Sequence, residues 1–289
     1  VNKMKAMKQY EVLNWASLFL EQHHREQRVA ELLLQYHLNV SSSRFYTMMR
    51  DWIPEDVLVK YVEDIKQHAT IGIPIQHLMG YAYFYGRKFY VTNHVLIPRP
   101  ETEELVYHSI SSTEGKSVDK LPVIVDAGTG SGVIAITLAL ELTNAKIHAT
   151  DLSKEALKVA KKNADDHQAA IHFHDGDFLQ PLIDQQIHVD MIVSNPPYIS
   201  IKEKMELADT VRDFDPELAL FAEDEGLAAY IKLIDQSKQV LCKRGTIVFE
   251  IGHQQGPQVL KLLKESYPHS DVAIIKDING KDRIVTAQL

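Results

Sequence analysis

The sequence predicts an α/β protein whose larger part is a mostly parallel sheet of about seven strands covered by helices. A helical bundle and a β-hairpin linker precede it. Three observations carry this prediction. From Leu121 onward, short apolar runs alternate with helix-forming stretches, the pattern of strands buried on both faces between helices. A glycine-rich turn stands where the first of these runs meets the first helix. The first 75 residues, by contrast, repeat their apolar side chains at a helical period and contain no convincing strand.

Taken in order, Tyr10, Val12, Leu13, Trp15, Ala16, Leu18, Phe19 and Leu20 mark one helix, and Val29, Leu32, Leu33, Leu34 and Tyr36 a second. Ser41, Ser42 and Ser43 offer capping oxygens for a short helix through Arg50. Pro54, Glu55 and Asp56 open another, with Val57, Leu58, Tyr61, Val62 and Ile65 on its apolar side. Residues 1–75 are therefore expected to form a bundle with an ordinary core. Over residues 76–97 the period changes to two: Tyr81, Tyr83 and Tyr85 alternate with Ala82 and Phe84, Gly86-Arg87 interrupts, and Lys88 to Val91 resumes. This reads as a hairpin connecting two units. Residues 98–289 hold the expected strands Val123–Asp126, Ile147–Asp151, Ile171–His174, Val189–Ser194, Thr246–Ile251, Val272–Ile275 and Ile284–Ala287. Helices are expected over Gly132–Thr143 and, capped by Ser153, over Ser153–Asp166.

Composition narrows the function classes. With 289 residues, 45% hydrophobic and 24% charged, the chain is neither a disordered tail nor a repeat scaffold. Cys242 is the only cysteine, which excludes an intrachain disulfide and a multi-thiolate metal site and points to a reducing, cytoplasmic setting. The apolar run Val133 to Leu140 is far shorter than the roughly 20 residues that span a bilayer, and no signal peptide or membrane anchor is read in the first 20 residues. Val1, Asn2 and Lys3 precede two candidate start residues, Met4 and Met7, and are read as a candidate non-native leader. The net charge of −8 argues against broad capture of a phosphate backbone. The first 75 residues hold nine basic and nine acidic side chains, so the excess acidity belongs to the rest.

The glycine turn is Val125-Asp126-Ala127-Gly128-Thr129-Gly130-Ser131-Gly132. Glycines there let the backbone turn sharply and bring a ligand close to N–H groups at a helix start. The next strand ends in Asp151, about 20 residues on, where an open α/β sheet presents a carboxylate to ribose hydroxyls. Together these indicate an adenosine-containing cofactor, but Gly128, Gly130 and Gly132 alternate instead of following the dinucleotide spacing. That spacing, behind an acidic residue, is similar to the S-adenosylmethionine loop of Rossmann-like methyltransferases. Asp175-Gly176-Asp177-Phe178 follows the third strand, where Asp177 can accept from an adenine amine and Phe178 can stack; a plain surface loop is the competing reading.

The most specific motif is Asn195-Pro196-Pro197-Tyr198, after the apolar strand Met191 to Ser194. Two prolines stiffen the turn and delete two N–H donors. The Asn195 side-chain carbonyl and the Pro196 backbone carbonyl suit the two hydrogens of a planar NH₂ group, with Tyr198 supplying a face for packing. A planar nitrogen is a poor nucleophile, so acceptors that position it and strengthen as charge develops would accelerate methyl transfer. His172 and His174 share a strand face but lack a third ligand, and are read as packed or solvated. Cys242 is read as a small helix-end residue.

Across nearly its whole length the chain resembles the HemK-like (PrmC) glutamine methyltransferases that modify peptide chain release factors. The resemblance rests on Pro74 to Gly80, Leu96 to Glu103, Asn195 to Ile199, Glu217 to Leu220 with Gly226-Leu227, Glu250 to Gly252 and Asp277 to Arg283. It implies a class I methyltransferase fold and methyl transfer from S-adenosylmethionine, leaving S-adenosylhomocysteine. The acceptor it implies is the side-chain amide of the glutamine in the release factor's Gly-Gly-Gln loop. It further implies that Gly128 to Gly132, Asp151, Phe178 and Asn195 contact the cofactor, that Asn195 to Tyr198 bind the glutamine, and that the N-terminal helices and hairpin dock the release factor. Phe178 departs from relatives with a larger aromatic residue, which weakens the stacking assignment. Arg99 and Glu101 are read either as a structural salt bridge or as organisers of the domain junction or the cofactor's amino acid end. A monomer without a direct nucleic-acid or membrane partner is expected. The alternatives are an adenine-N6 methyltransferase acting on DNA or RNA, disfavoured by the acidic catalytic part, and a non-catalytic Rossmann-like binding module.

Overall fold

The computed structural model describes residues 7–113 and 121–289, so the leader reading for the first residues lies outside them. The chain divides into two compact units: residues 1–80 with Ala208–Phe214, and Tyr81–Leu207 with Asp215–Leu289.

The first unit is built from helices Gln9–Gln22, Arg28–Leu38, Ser42–Thr47 and Glu55–Lys66, then a π-turn over Gln67–Ile71 and a short helix Ile75–Met79. Val12, Ala16, Leu20, Leu33, Leu34, Phe45, Leu58, Tyr61 and Ile65 make its core. Ser41 caps the third helix by accepting the Arg44 N–H, but that helix ends at Thr47 and not at Arg50. Segment Ala208–Phe214 joins this unit, where Asp209 takes a two-pronged hydrogen bond from the Arg25 guanidinium (2.7 and 2.6 Å).

The second unit begins with the hairpin strands β1 (Tyr81–Phe84) and β2 (Arg87–Tyr90). The turn falls on Tyr85-Gly86, both at positive φ, one residue earlier than Gly86-Arg87; Arg87 pairs with Phe84. Paired positive φ values are the geometry of the tight hairpin turn that follows the strands' twist. Expected as a connector, the hairpin packs into the sheet unit: Phe84 and Phe89 are buried in its core. Buried Asn163 accepts from the Tyr90 N–H (2.7 Å) and donates to the Tyr90 carbonyl (2.9 Å).

The main sheet comprises β3 (Val123–Ala127), β4 (Lys146–Asp151), β5 (Ile171–Asp175), β6 (Val189–Ser194), β9 (Leu241–Glu250), β10 (Asp271–Lys276) and β11 (Asp282–Gln288). Two further short strands, β7 (Ile199–Ser200) and β8 (Phe221–Ala222), pair with each other outside it. The sheet order is β10-β11-β9-β6-β3-β4-β5, parallel except around β11. This is the expected seven-stranded, mostly parallel sheet. Helices Val133–Glu141 and Lys154–His167 follow β3 and β4, the second capped by Ser153 accepting the Ala156 N–H. Cys242 lies at the start of β9, not at a helix end. Three apolar clusters fill the unit, one around Ile134, Leu138, Ile147 and Val193, one around Ile192, Tyr230, Leu233, Phe249 and Val285, and a smaller one that joins Ala82, Val91, Val95 and Ile97 to Ala156 and Val159.

After β3 the chain builds outward to β4 and β5, then returns to place β6 on the other side of β3. Such a reversal leaves a crevice beyond the carboxyl ends of the two central strands. The glycine turn follows β3 and the Asn-Pro-Pro-Tyr corner follows β6, so strand order alone brings two sequence-distant motifs to one place.

Candidate active site

A cavity of about 420 Å³ occupies that crevice, lined among others by Gly128, Thr129, Gly130, Ser131, Asp151, Asp177, Phe178, Asn195 and Pro197. Nine of the expected site residues thus share one wall system. Gly132, Pro196 and Tyr198 are not part of the lining: Gly132 turns the chain into the helix at φ +85°, and Pro196 is buried. A Cβ at Gly132 would stand 3.1 Å from the Ala160 Cβ, so this glycine serves close helix packing.

Asp126, fully buried, accepts from the Thr129 hydroxyl (2.6 Å) and the Ala135 N–H (3.1 Å), stapling the glycine turn to the helix it opens. Burial pushes its carboxyl up to about 7 against those two bonds, which act in the other direction. Asp151 accepts the Gly130 N–H (2.8 Å) on one oxygen and the Ser153 N–H (2.8 Å) on the other. It therefore shapes the loop as well as facing the cavity, and burial raises its pKa. Asn163 adds a third brace by donating to the Ser131 carbonyl (2.8 Å), so one side chain ties both the hairpin and the glycine turn to the helix Lys154–His167.

On the opposite rim, Asp177 is paired with Lys232, and Gln236 holds the same turn by donating to the Asp177 carbonyl (3.3 Å) and accepting from the Leu179 N–H (2.9 Å). Phe178 sits at φ +48° with its ring edge 3.6 Å from where a Gly128 side chain would begin. Any larger residue at 128 would fill the gap between ring and loop. Arg99 lines the cavity and pairs with buried Asp215, which is the salt-bridge reading of that arginine; Glu101 takes no part in the pair.

The corner is held from behind. The Ser194 hydroxyl donates to the Ala127 carbonyl (2.6 Å), joining the ends of β6 and β3. Gln255 donates to the Tyr198 carbonyl (2.9 Å) while its own carbonyl accepts from the Gly252 N–H (3.1 Å). The Tyr198 ring packs over Gly252, and burial lifts its phenol to about 12, so it stays neutral. Asn195 donates through Nδ2 to the Thr102 hydroxyl (3.2 Å). Thr102, Glu250, Gln255, Gly226, Lys232 and Gln236 carried no assigned role in the sequence. Thr102, Glu250 and Gly226 lay inside motifs of the resemblance, a signal of importance without a role.

The histidines form a stack. His148 lies between His172 and His174, with 2.8 Å from its Nδ1 to the His174 Nε2. Among the described residues no group of three or more His, Cys, Asp or Glu side chains is arranged to hold a metal ion. No helix among them is long and apolar enough to cross a membrane.

The strand order and the crevice with its glycine turn define a Rossmann-like methyltransferase. Residues 116–212 match the model of the methyltransferase small domain, and residues 11–80 that of the PrmC N-terminal domain. Over 283 residues the chain is 40% identical to the release factor glutamine methyltransferase of Bacillus cereus, covering 98% of this chain and all of that one. It is 42% identical over 284 residues to the release factor glutamine methyltransferase of Bacillus subtilis, covering 96% of each. The chain belongs to the release factor glutamine methyltransferase family. Among solved structures, the hMettl16 catalytic domain in complex with MAT2A 3'UTR hairpin 1 superposes with a TM-score of 0.52 at 17% identity, covering 80% of this chain and 79% of that one. That likeness is one of fold.

Proposed function

We propose that this protein methylates the glutamine side-chain amide in the Gly-Gly-Gln loop of class-one peptide chain release factors, using S-adenosylmethionine and leaving S-adenosylhomocysteine. The observation that carries the reading is the convergence of Asn195 and the glycine turn on one cavity of about 420 Å³, within the range of small-ligand sites. The residues present suit the cofactor. Gly130 at φ +56° has open space where a side chain would stand, Asp151 has lone pairs to spare for ribose hydroxyls beyond the two N–H bonds it accepts, and Asp177 and Phe178 bring a carboxylate and a ring to the same cavity for an adenine.

When bound, the cofactor supplies an electrophilic methyl group on a sulfonium. The chain's own part is to bring a weak nucleophile to it. Asn195 Oδ1 and the Pro196 carbonyl accept the two amide hydrogens, which localises the nitrogen lone pair and aims it across the cavity. Holding that geometry lowers the barrier by several kcal/mol, up to about 7–11 in the best-oriented reactions. As the nitrogen–carbon bond formed and the carbon–sulfur pair returned to sulfur, positive charge would grow on nitrogen and both acceptors would bind it more tightly. The nitrogen then loses a proton, so no strong base is needed to start. The helical unit and the hairpin dock the release factor, and the protein acts as a cytoplasmic monomer.

The test is incubation of the purified protein with methyl-labelled S-adenosylmethionine and either a release factor or duplex DNA. One added methyl on the loop glutamine, located by mass spectrometry, is the expected result. Label confined to nucleic acid would establish an adenine methyltransferase in its place, and absence of cofactor binding by calorimetry would leave a binding module.

A further inference from the structure

Behind the corner lies a carboxyl group that the reaction as described does not use. Glu250 ends β9, and β9 pairs with β6 in parallel register, Phe249 beside Ser194. The next residue on each strand, Glu250 and Asn195, therefore emerges on the same edge of the sheet. Glu250 is 2% exposed, its Oε2 has no hydrogen-bond partner, and Thr102 and Asn195 are the polar side chains beside it whose donors favour its ionised form. Burying a carboxyl this deeply is costly unless donors surround it, and retaining one here calls for an account.

We infer that Glu250 is a positioning residue for methyl transfer: with the Thr102 hydroxyl it fixes which end of the Asn195 carboxamide faces the substrate. This rests on the function proposed above. A carboxamide can sit in two orientations of almost the same shape, and only its surroundings choose between them. An ionised carboxylate accepts and never donates, so it turns the Asn195 NH₂ inward. Asn195 Nδ2 donates to Thr102 Oγ1; a Thr102 hydroxyl that accepts there has its own proton to offer the Glu250 carboxylate, and Asn195 Oδ1 is left for a donor from the substrate. That is the orientation in which Asn195 can accept from an amide NH₂. With Nδ2 outward, two NH₂ groups would meet and the substrate would be turned away.

The same arrangement makes turnover depend on pH. Burial pushes the Glu250 carboxyl up to about 7, opposed by the donors of Thr102 and Asn195. Arg283 on β11 favours its ionised form, and Glu101 on the helix Glu101–Ser111 disfavours it. The phenols of Tyr198 and Tyr230 also face it, and Tyr230 donates to its backbone carbonyl (2.8 Å). Once protonated, Glu250 can donate to Asn195 Oδ1 and stabilise the wrong orientation. Turnover should therefore rise as pH increases through about 7.

The experiment is a steady-state pH profile, from about pH 5.5 to 9, of label transfer to a release factor by the wild-type protein and by Glu250→Gln. Glutamine has the same shape and can donate as well as accept, so it no longer dictates the orientation. The expected result is a wild-type kcat with an acidic limb near pH 7, and a Glu250→Gln kcat lowered by about tenfold or more with that limb gone. S-adenosylmethionine binding and the release-factor KM should stay within about twofold. Should Glu250→Gln fail to fold, Thr102→Val must reproduce the fall in kcat and Thr102→Ser must restore it. A Glu250→Gln variant with kcat within twofold of wild type and its acidic limb in place would overturn the inference alone. A flat wild-type kcat across the range would do the same. A wild-type protein that transfers no label to release factor would overturn the proposed function and this inference together.

Discussion

A methyl group at position 226 would lie 2.1 Å from the Tyr198 carbonyl oxygen, and the backbone there sits at φ +86°. Gly226→Ala must therefore displace the corner as well as strain its own backbone. Gly280, at φ +76° with open space around it, supplies the comparison that separates the two costs. Gly280→Ala should lose about 1–2 kcal/mol of stability from backbone strain, and Gly226→Ala distinctly more. Paired thermal melts and transfer assays would check this, with loss of turnover confined to Gly226→Ala. The two best-placed polar residues should separate in the same assays. Asn195→Ala should lower kcat by at least about 100-fold while S-adenosylmethionine still binds, as expected for an acceptor that acts at the transition state. Asp151→Ala should mainly weaken cofactor binding, seen by calorimetry, and also loosen the Gly130 turn it braces. Asn195, Asp151 and the alternating glycines were legible because each stands at a strand end marked by its neighbours. Gly226 and Gln255 were not, since their partner Tyr198 lies 28 and 57 positions away.

Among the elements, the segment between β7 and β8 has the most to show. The chain leaves the sheet unit after Leu207, contributes Ala208–Phe214 to the helical unit, and returns at Asp215 to be held by Arg99. Within the helical unit, Arg25 grips Asp209 and keeps its carboxyl down at about 2, chiefly through their hydrogen bonds. A carboxyl depressed in this way stabilises the folded unit above its ordinary value near 3.8, and the contribution is lost as pH falls through about 2. Asp209 is partly open to solvent, so screening discounts the effect. Asp209→Asn should cost about 1 kcal/mol at pH 7 and little at pH 2, measured by chemical denaturation. The hairpin teaches a related lesson. Its strands were readable from alternating aromatics, but its turn slipped by one residue because Tyr85 accepts a left-handed conformation, with its N–H held by the Glu103 carboxylate (2.7 Å). Its membership of the sheet unit follows from Asn163, a helix residue that no local pattern connects to Tyr90.

At the scale of the whole molecule, buried ionisable groups set the pH response of folding, in opposing directions. Asp126 is raised to about 7 by burial, so it contributes stability that is fully present below about 3.8 and is lost as pH rises through about 7. His148, lowered to about 4 by burial, works the other way: its contribution is lost as pH falls from its ordinary 6.5 toward 4. Asp126→Asn removes the first effect and leaves the second, so His148 cancels when variant and wild type are compared. The melting temperature of Asp126→Asn minus that of wild type should increase by several degrees between pH 5 and pH 8. A difference that stays constant with pH would show that Asp126 does not titrate in this range.

What the amino-acid sequence determined by itself was whatever is written in short periods and short motifs. The alternation of apolar runs specified a mostly parallel sheet, since strands buried on both faces need apolar side chains on both. The residues at two strand ends pointed to a chemistry, since a sharp glycine turn and a proline-stiffened carboxamide need those residue types wherever they stand. Tertiary structure decided which groups stand behind them. Strand order set β9 beside β6 and so Glu250 beside Asn195, and chain return set Asp209 against Arg25. Such pairings depend on how distant segments close upon one another, and a buried polar group gains its partner, its pKa and its use only when water is excluded around it.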